Sequence, residues 1–478
     1  MVGVAQLVEH LVVVQDVAGS SPVTHPRGSA VVRKSEPGND RRWRLDDLLP
    51  VPPPMTAMSV STARLSAATF AGRLAGTASR LTGRGTGASI RGKIMLKIDP
   101  SALRKLLAGK RIAVVSGTNG KTTTTHLLAA ALRESLGPDA GRLVHNADGA
   151  NLHHGLTSAL SEHPEADIAI LECDERVVGD VIKLGRPEVL VLLNFSRDQL
   201  DRHHEIKSLG RSWRMALAAA GPSGPVVVAN ADEPLVVWAA LAAEHVIWVD
   251  TATNWTQDSS LCPECDANLI RIQPDPASGQ DADWYCTGCG LARPKGDYRV
   301  ESGTIVDPAH QVWHPQLSVP GRFNINNAAC ALAAAELMGV NPRAALKGMR
   351  KVTSPAGRFA TARFGSTTAR LILAKNPAGW AEALPLAQSQ TVVLAIDSAA
   401  ADGRDVSWLW DVEYERLAGR SVIATGRRAQ DLAVRLRYAE VEYRCIPDLA
   451  EALTGHSEPV DVIATYTPFQ RLRRMGRV

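Results

Sequence analysis

The stretch Arg111-Ile-Ala-Val-Val-Ser-Gly-Thr-Asn-Gly-Lys-Thr-Thr-Thr-Thr125 decides the fold of this chain. Ile112 to Val115 are apolar and rich in β-branching, which suits a strand buried on both faces. Gly117 and Gly120 supply a tight turn. The threonine run leading into Leu127, Leu128 and an alanine-rich segment to Leu132 reads as a helix. Strand, glycine turn and helix N-terminus make a cradle of backbone N–H groups, aided by the helix dipole, that suits phosphate. From this cradle Lys121 can reach a nucleotide's terminal phosphates, and the Thr122 hydroxyl can take a magnesium ligand position. The general phosphate-loop pattern has another glycine five residues before Gly120, where this chain carries Val115. A glycine turn with a surface lysine is the plainer alternative. Gly-Lys-Thr between a strand and a helix favours a triphosphate site.

Working outward, 478 residues allow two or three domains with sizeable cores. The net charge of +4 is mild for such a chain, and no basic block is interleaved with aromatics, so nucleic acid is not an expected partner. The basic run Arg471–Arg474 reads as a solvated tail. No run of about 18 uncharged apolar residues occurs, so no transmembrane segment is expected. Four of the seven cysteines form two Cys-x-x-Cys pairs, which argues for metal rather than disulfides and so for a reducing, cytoplasmic location.

Residues 1–56 do not read as the start of a folded domain. Val4 to Val17 is apolar but carries Glu9, His10 and Asp16, and Ser20 to Asp40 is rich in Pro, Gly, Ser and charge. No signal-peptide layout is present. Ala5-Gln-Leu-Val-Glu-His10, with Ala18-Gly-Ser-Ser-Pro-Val-Thr24, resembles a transfer-RNA gene read in the wrong frame. Translation is therefore expected to begin near Met55 or Met58, with a disordered extension as the alternative; intact mass of the native protein decides. From Thr62 to Leu81 the spacing of Leu65, Phe70, Leu74 and Leu81 predicts a helix with one apolar face. Gly83 to Gly92 reads as a flexible linker, with a second phosphate loop as the alternative, and Ile94 to Leu107 as a short strand and a helix.

After the loop helix, strands are expected at Leu143, running into Asn146-Ala-Asp-Gly, at Ala166–Cys173 ending in Glu172, at Pro187–Asn194, and at Gly224–Asn230. Polar residues sit at the carboxyl ends of these strands, where open α/β sheets bind ligands. Strand alternating with helix argues a mostly parallel sheet covered by helices. Cys262-Pro-Glu-Cys265 and Cys286-Thr-Gly-Cys289 break this rhythm. Two such knuckles suit tetrahedral coordination of one Zn²⁺, and four thiolates fill its sphere, so the zinc would be structural. Residues of about 257–299 thus read as a zinc ribbon inserted in the ATPase domain. Asn324 and Asn327 lie three apart on the face of an alanine-rich helix, where their amides could read a base or ribose or could cap the helix. Val352 to Phe359 reads as a hinge. Beyond it, five strands are expected at Ala369–Ala374, Gln390–Ile396, Ser421–Thr425, Glu440–Arg444 and Val460–Thr465.

In this order, the phosphate loop, the strand-end acids, Asn230-Ala-Asp-Glu-Pro234, the asparagine helix and Gly357-Arg358 resemble the Mur ligases across roughly residues 60–478. The resemblance implies a central ATP-binding domain over 57–356 and a C-terminal α/β domain over 357–478. Three departures stand out. Only about fifty plausible residues precede the loop, where Mur ligases carry a UDP-binding domain. The four-cysteine ribbon is foreign to the ordinary ligases. Their carbamylated-lysine segment aligns with Ser212-Trp213-Arg214, which has no lysine. Together with Lys375-Asn-Pro-Ala-Gly379 and Asp402-Gly-Arg-Asp-Val-Ser-Trp-Leu-Trp-Asp411, these departures resemble the MurT family, synthetase subunits that work with a GatD-type glutaminase.

That resemblance implies ATP-dependent amidation of the D-glutamate α-carboxylate of lipid II, at the inner face of the membrane, in a heterodimer with the glutaminase. It implies Thr118, Asn119, Gly120, Lys121, Thr122 and Thr123 around the phosphates, and Asn324, Asn327 and Arg358 on base, ribose or phosphate. Thr122 and Glu172 would hold magnesium, with Asp174 as an alternative acid. It further implies that Asp405, or else Asp402, orients the partner's catalytic histidine; helix capping is the alternative role for either. Two rival functions are an amino-acid ligase of the folylpolyglutamate synthase kind and a zinc-ribbon ATPase acting as a regulatory or nucleic-acid module.

Overall fold

The computed structural model describes residues 62–81, 88–196, 206–251, 259–273, 282–353, 358–399 and 402–476, all within one unit, Leu49–Val478. The expectations for the leader, for Gly83–Gly87, for the start of the ribbon and for Gly357 lie outside them.

Among the described residues the larger sheet has nine strands. Its centre is parallel, in the order Val246–Asp250, Val226–Asn230, Val189–Leu192, Arg111–Ser116, Ile168–Glu172, Leu143–His145. Alternate side chains of the central strand enter two separate cores: Ile112 and Val114 face one helical layer, Ala113 and Val115 the other. Both faces are covered, which explains why the strands read as continuous apolar runs. The α/β class inferred from the sequence is the observed one. The second sheet, of six strands, repeats the design: Val392 and Leu394 enter one core, Val393 and Ala395 the other.

Local patterns misled in four places. The segment at Ile94 is a helix, Ala88–Ile98, because its alternating Ile94, Leu96 and Ile98 are only half-buried while Met95 is wholly buried. Gly92, assigned to a linker, sits in that helix where a Cβ would lie 1.7 Å from the His154 carbonyl oxygen. The single apolar face expected of Thr62–Leu81 is split: Leu65 packs against the core with buried Ala68, whereas Phe70 and Leu74 are exposed. Phe359, read as the end of a hinge, begins the strand Phe359–Phe364, which pairs antiparallel with Thr367–Leu373.

The larger sheet also has strands not foreseen. Tyr298–Glu301 runs parallel to Val246–Asp250, and Thr304–Val306 and Val312–Trp313 extend it antiparallel. The ribbon is therefore inserted between two neighbouring strands, and Tyr298 already belongs to the sheet. The Tyr298 hydroxyl donates to Glu336 at 2.5 Å on the helix Arg322–Leu337. Burial outweighs that hydrogen bond and lifts the Glu336 carboxyl from its ordinary 4.5 to about 7. A raised folded-state value makes this group fully compatible with the fold below about pH 4.5, and increasingly costly as pH rises through 7. Glu336→Gln should match the parent in thermal unfolding at pH 4.5 and exceed it by about 2 kcal/mol at pH 8. A pH-independent difference would remove the assignment.

Candidate nucleotide site and metal centre

The phosphate loop follows its strand as expected, and the helix Lys121–Leu136 begins at the lysine. Gly120 has φ of +85°, and a Cβ there would stand 2.5 Å from Asn327 Oδ1, so glycine is required both for the turn and for close approach of the asparagine helix. Two residues that motif reading passed over clamp the loop. The Asn119 N–H donates to Asn194 Oδ1 at 2.8 Å, and Asn194 Nδ2 donates back to the Asn119 carbonyl at 3.1 Å. The Ser196 N–H donates to Thr118 Oγ1, and Asn119 Nδ2 donates to Ser196 Oγ. Both residues follow the carboxyl end of the strand Val189–Leu192 beside the loop strand, so the strand-end rule held the signal that could have found them.

Lys121 is buried, and its ammonium folds back onto the carbonyls of Gly117 and Thr118 and onto Glu175 Oε2 at 3.2 Å. Glu175 is oriented in turn by a buried tryptophan: Trp213 Nε1 donates to the Glu175 carbonyl at 2.8 Å and packs on Phe195 at 4.2 Å. Of the triplet aligned with the ligases' modified lysine, then, Trp213 serves packing. Arg214 donates to the Trp238 carbonyl.

Thr122 and Glu172 converge. An added Cβ on Gly149 would be 3.8 Å from Thr122 Oγ1 and 3.5 Å from Glu172 Oε2. Glu172 is buried and accepts from Asn151 Nδ2 at 3.1 Å through its other oxygen. An acid and a hydroxyl together at a phosphate loop are the hard oxygen donors that magnesium takes. Asp174 is paired with Arg176. Burial opposes its charge, but Arg176, bonded to both its oxygens at 2.6 and 3.0 Å, more than compensates and holds the carboxyl below its usual range. Arg358 arrives from the edge of the second sheet, and its Nη2 donates to Thr122 Oγ1 at 3.0 Å.

Beside the loop lies a cavity of about 140 Å³, lined by Asn119, Gly120, Thr123, Asn327 and Arg358 together with Asn230, Glu233, Thr251 and Asn326. Neither predicted asparagine caps its helix, which begins after Gly321 with no side-chain cap. Asn324 is spent internally, donating to the Pro320 carbonyl and accepting from Asn327 Nδ2. Asn326, not foreseen, faces the cavity with a buried Oδ1 that no protein group satisfies. Such an acceptor suits the amino group of a base.

The four ribbon cysteines have their sulfurs all within 4.8 Å of one another, the one such cluster among the described residues. Cys262 and Cys289 are 3.7 Å apart and Cys265 and Cys286 3.4 Å, close to the roughly 3.8 Å edge of a tetrahedron with Zn–S near 2.3 Å. The cluster fits zinc. Its hairpin, Leu269–Ile272 with Asp283–Cys286, is bolted to the cavity wall. Trp284 Nε1 donates to the Ala231 carbonyl at 3.0 Å, and Arg293 binds Asp232 at 2.7 Å and Asp250 at 2.5 Å. Asp232 accepts in turn from the N–H and hydroxyl of Thr251, whose hydroxyl also reaches Asn230 Oδ1.

Before the turn Ser407–Asp411 of the second half of the chain, Asp405 is exposed and accepts the Ser407 N–H at 2.8 Å, while the turn itself starts after Val406 with no side-chain cap. Asp402 is buried; its Oδ1 accepts the Thr467 N–H at 2.7 Å, and its Oδ2 has no protein partner.

Residues 115–261 match the Mur ligase middle domain family, and residues 373–469 match the MurT ligase C-terminal family. Among solved structures, a pseudomurein peptide ligase type C from Methanothermus fervidus shares the fold at TM-score 0.57 and 18 % identity, covering 77 % of this chain and 78 % of that one. Mycobacterium tuberculosis folylpolyglutamate synthase complexed with ADP does so at 0.51 and 17 %, covering 82 % and 99 %. Among curated relatives, the lipid II isoglutaminyl synthase (glutamine-hydrolyzing) subunit MurT of Streptococcus pneumoniae is 28 % identical over 85 % of this chain and 96 % of its own. The subunit of the same name from Staphylococcus aureus is 31 % identical, covering 77 % of this chain and 87 % of its own. With both halves of its fold matched in this way, the chain belongs to the MurT family of Mur ligase-like synthetases.

Proposed function

We propose that this chain amidates the D-glutamate α-carboxylate of lipid II, driven by ATP, with ammonia released by a partner glutaminase of the GatD type. A carboxylate resists attack by an amine because oxide is a poor leaving group. Phosphoryl transfer supplies a better one. A carboxylate oxygen bonds the γ-phosphorus and ADP departs; the lone pair of ammonia then adds to the carbonyl carbon, the C–O bond breaks, and phosphate leaves while a proton passes to solvent. The chain's contribution is positioning and charge. Lys121 and the loop amides face the negative charge that moves onto phosphate, and Arg358 adds a cation from the second sheet. Magnesium, which Thr122 and Glu172 suit, would neutralise the same oxygens. The observation carrying this proposal is the convergence of Thr122, Glu172 and Arg358 at the lip of a loop whose lysine is already folded into the cradle.

Support for a docked glutaminase comes from the surface around Asp405. Trp410 is 54 % exposed and Tyr438 72 %, and they meet edge to face at 5.3 Å, with Val434 half exposed. Exposed aromatics of this kind mark interface cores. Such a partner would spare ammonia from protonation in bulk water. The complex would meet its lipid-linked substrate at the inner face of the membrane.

Co-purification with a candidate glutaminase and assay of lipid II amidation test the proposal. The expected result is D-isoglutamine formed from glutamine with ATP consumed. Coupling of free amino acids without any partner would instead mark an amino-acid ligase. Asp405→Asn refines the partner site, since an asparagine oxygen can still accept the Ser407 N–H but cannot stabilise an imidazolium. Glutaminase activity of the complex should fall by about a hundredfold or more, with unfolding unchanged. Full activity there, together with loss in Asp402→Asn, would move the role to Asp402.

A further inference from the structure

The helix Thr62–Leu81 packs on Ala88–Ile98 through small residues: Ala68, Gly72, Gly76 and Ser79 are buried, with Met95 and Arg91 against Gly72. Its opposite stripe is apolar as well. Ala63, Ala67, Phe70, Leu74 and Ala78, spaced i, i+4, i+7, i+11 and i+15, are all exposed, Phe70 at 65 % and Leu74 at 58 %. Arginines stand at both margins, Arg73 on one side and, on the other, Arg64, which is exposed and whose Nε donates to the Ile98 carbonyl at 2.7 Å. Between Thr62 and Ile98 the chain carries seven Arg and Lys and no Asp or Glu. The net charge of +4 thus comes entirely from this segment, and the rest of the chain is slightly acidic.

An apolar stripe edged by cations, on a helix with no acid, is the pattern of a helix lying in the plane of a membrane interface. Among the described residues no helix is long and apolar enough to cross a bilayer. We infer that Thr62–Leu81 rests on an anionic lipid surface, with Phe70 and Leu74 at the boundary of headgroups and acyl chains and the basic residues against lipid phosphate. The helical pair is tied to the phosphate site. Ala88–Ile98 packs Gly92 on the His154 carbonyl and Arg91 on Glu162, both in the helix that follows Asn151, the residue bonded to Glu172. The inference does not rest on the amidation reaction, because binding to lipid needs no turnover.

The test is co-sedimentation of the full chain with vesicles of phosphatidylcholine alone and of phosphatidylcholine with roughly a third phosphatidylglycerol. Wild type should sediment with the anionic vesicles at low salt, stay free of the neutral ones, and release as salt rises. The double variant Phe70→Ser/Leu74→Ser should bind the anionic vesicles about tenfold or more weakly. Arg73→Gln should weaken binding severalfold and flatten its salt dependence. All of these side chains are exposed, so melting temperature and ADP binding should not move in any variant, which separates lost attachment from lost folding. A wild type indifferent to anionic vesicles, or a double variant that binds as well as wild type, overturns the inference. So does a stripe that holds two copies of the chain together, seen as a smaller species of the double variant in sedimentation velocity with no vesicle binding by either protein.

Discussion

Lys121→Ala is expected to lower ATP turnover at least about a thousandfold, a loss of some 4 kcal/mol of transition-state stabilisation. The size follows from position. The ammonium is buried within the loop, held by two loop carbonyls and by Glu175. A nucleotide's phosphates would draw it from these carbonyls toward oxygens that gain charge in the reaction, in surroundings that screen little. Lys121→Arg keeps the charge but not the fit, and should restore only part of the activity. Because alanine also leaves Glu175 facing a buried gap, the melting temperature must be measured alongside. Near-normal turnover in a folded Lys121→Ala protein would end the assignment of this loop to phosphate transfer.

The second large effect is expected from the ribbon. Arg293 is nearly buried, and its guanidinium compensates both Asp232 and Asp250. Asp232 fixes Thr251, and Thr251 fixes Asn230; Thr251 and Asn230 both line the cavity. Arg293→Met keeps most of the volume and strands two acids, which costs on the order of 3–5 kcal/mol where the charges are buried. ATP affinity should fall about tenfold or more, with the metal content of the cysteine cluster, expected at one zinc per chain, the same as in the parent. Stripping zinc, or Cys286→Ser with Cys289→Ser, should weaken ADP binding in the same direction, read by calorimetry without turnover. Zinc-stripped protein that binds ADP as tightly as the loaded form would reduce the ribbon to a fold-stabilising insertion with no hold on the cavity.

The phosphate loop was legible because everything it needs lies within fifteen consecutive residues: buried strand, glycine turn, lysine and helix start. The cysteine cluster was legible for a similar reason, since thiolate pairs at short spacing have few other uses. The clamp on the loop was not. Asn194 meets Asn119 across 75 positions, and only the order of the parallel strands brings the ends of Val189–Leu192 and Arg111–Ser116 together. Asn324 and Asn327 illustrate the limit of spacing. Of the pair only Asn327 lines the cavity, and the amide left unsatisfied there is that of Asn326. In the first helix the grouping of Leu65 with Phe70 and Leu74 on one face was wrong, since Leu65 packs on the core while the other two face solvent. Large apolar residues normally turn inward, but here the small ones do, because Ala88–Ile98 approaches too closely for anything larger.

Local sequence by itself determined the α/β class, the strand, glycine turn and helix start around Lys121, the cysteine cluster and membership of the Mur ligase lineage, since each is written in short runs whose chemistry needs no distant partner. Tertiary structure alone decided which acid accompanies Thr122, how Arg358 enters from the second sheet, how the ribbon grips the cavity wall and which face of the first helix meets solvent. Those are contacts between residues far apart in the chain, and the packing of sheets and helices, with its close-approach limits, selects them from many that the sequence would equally allow.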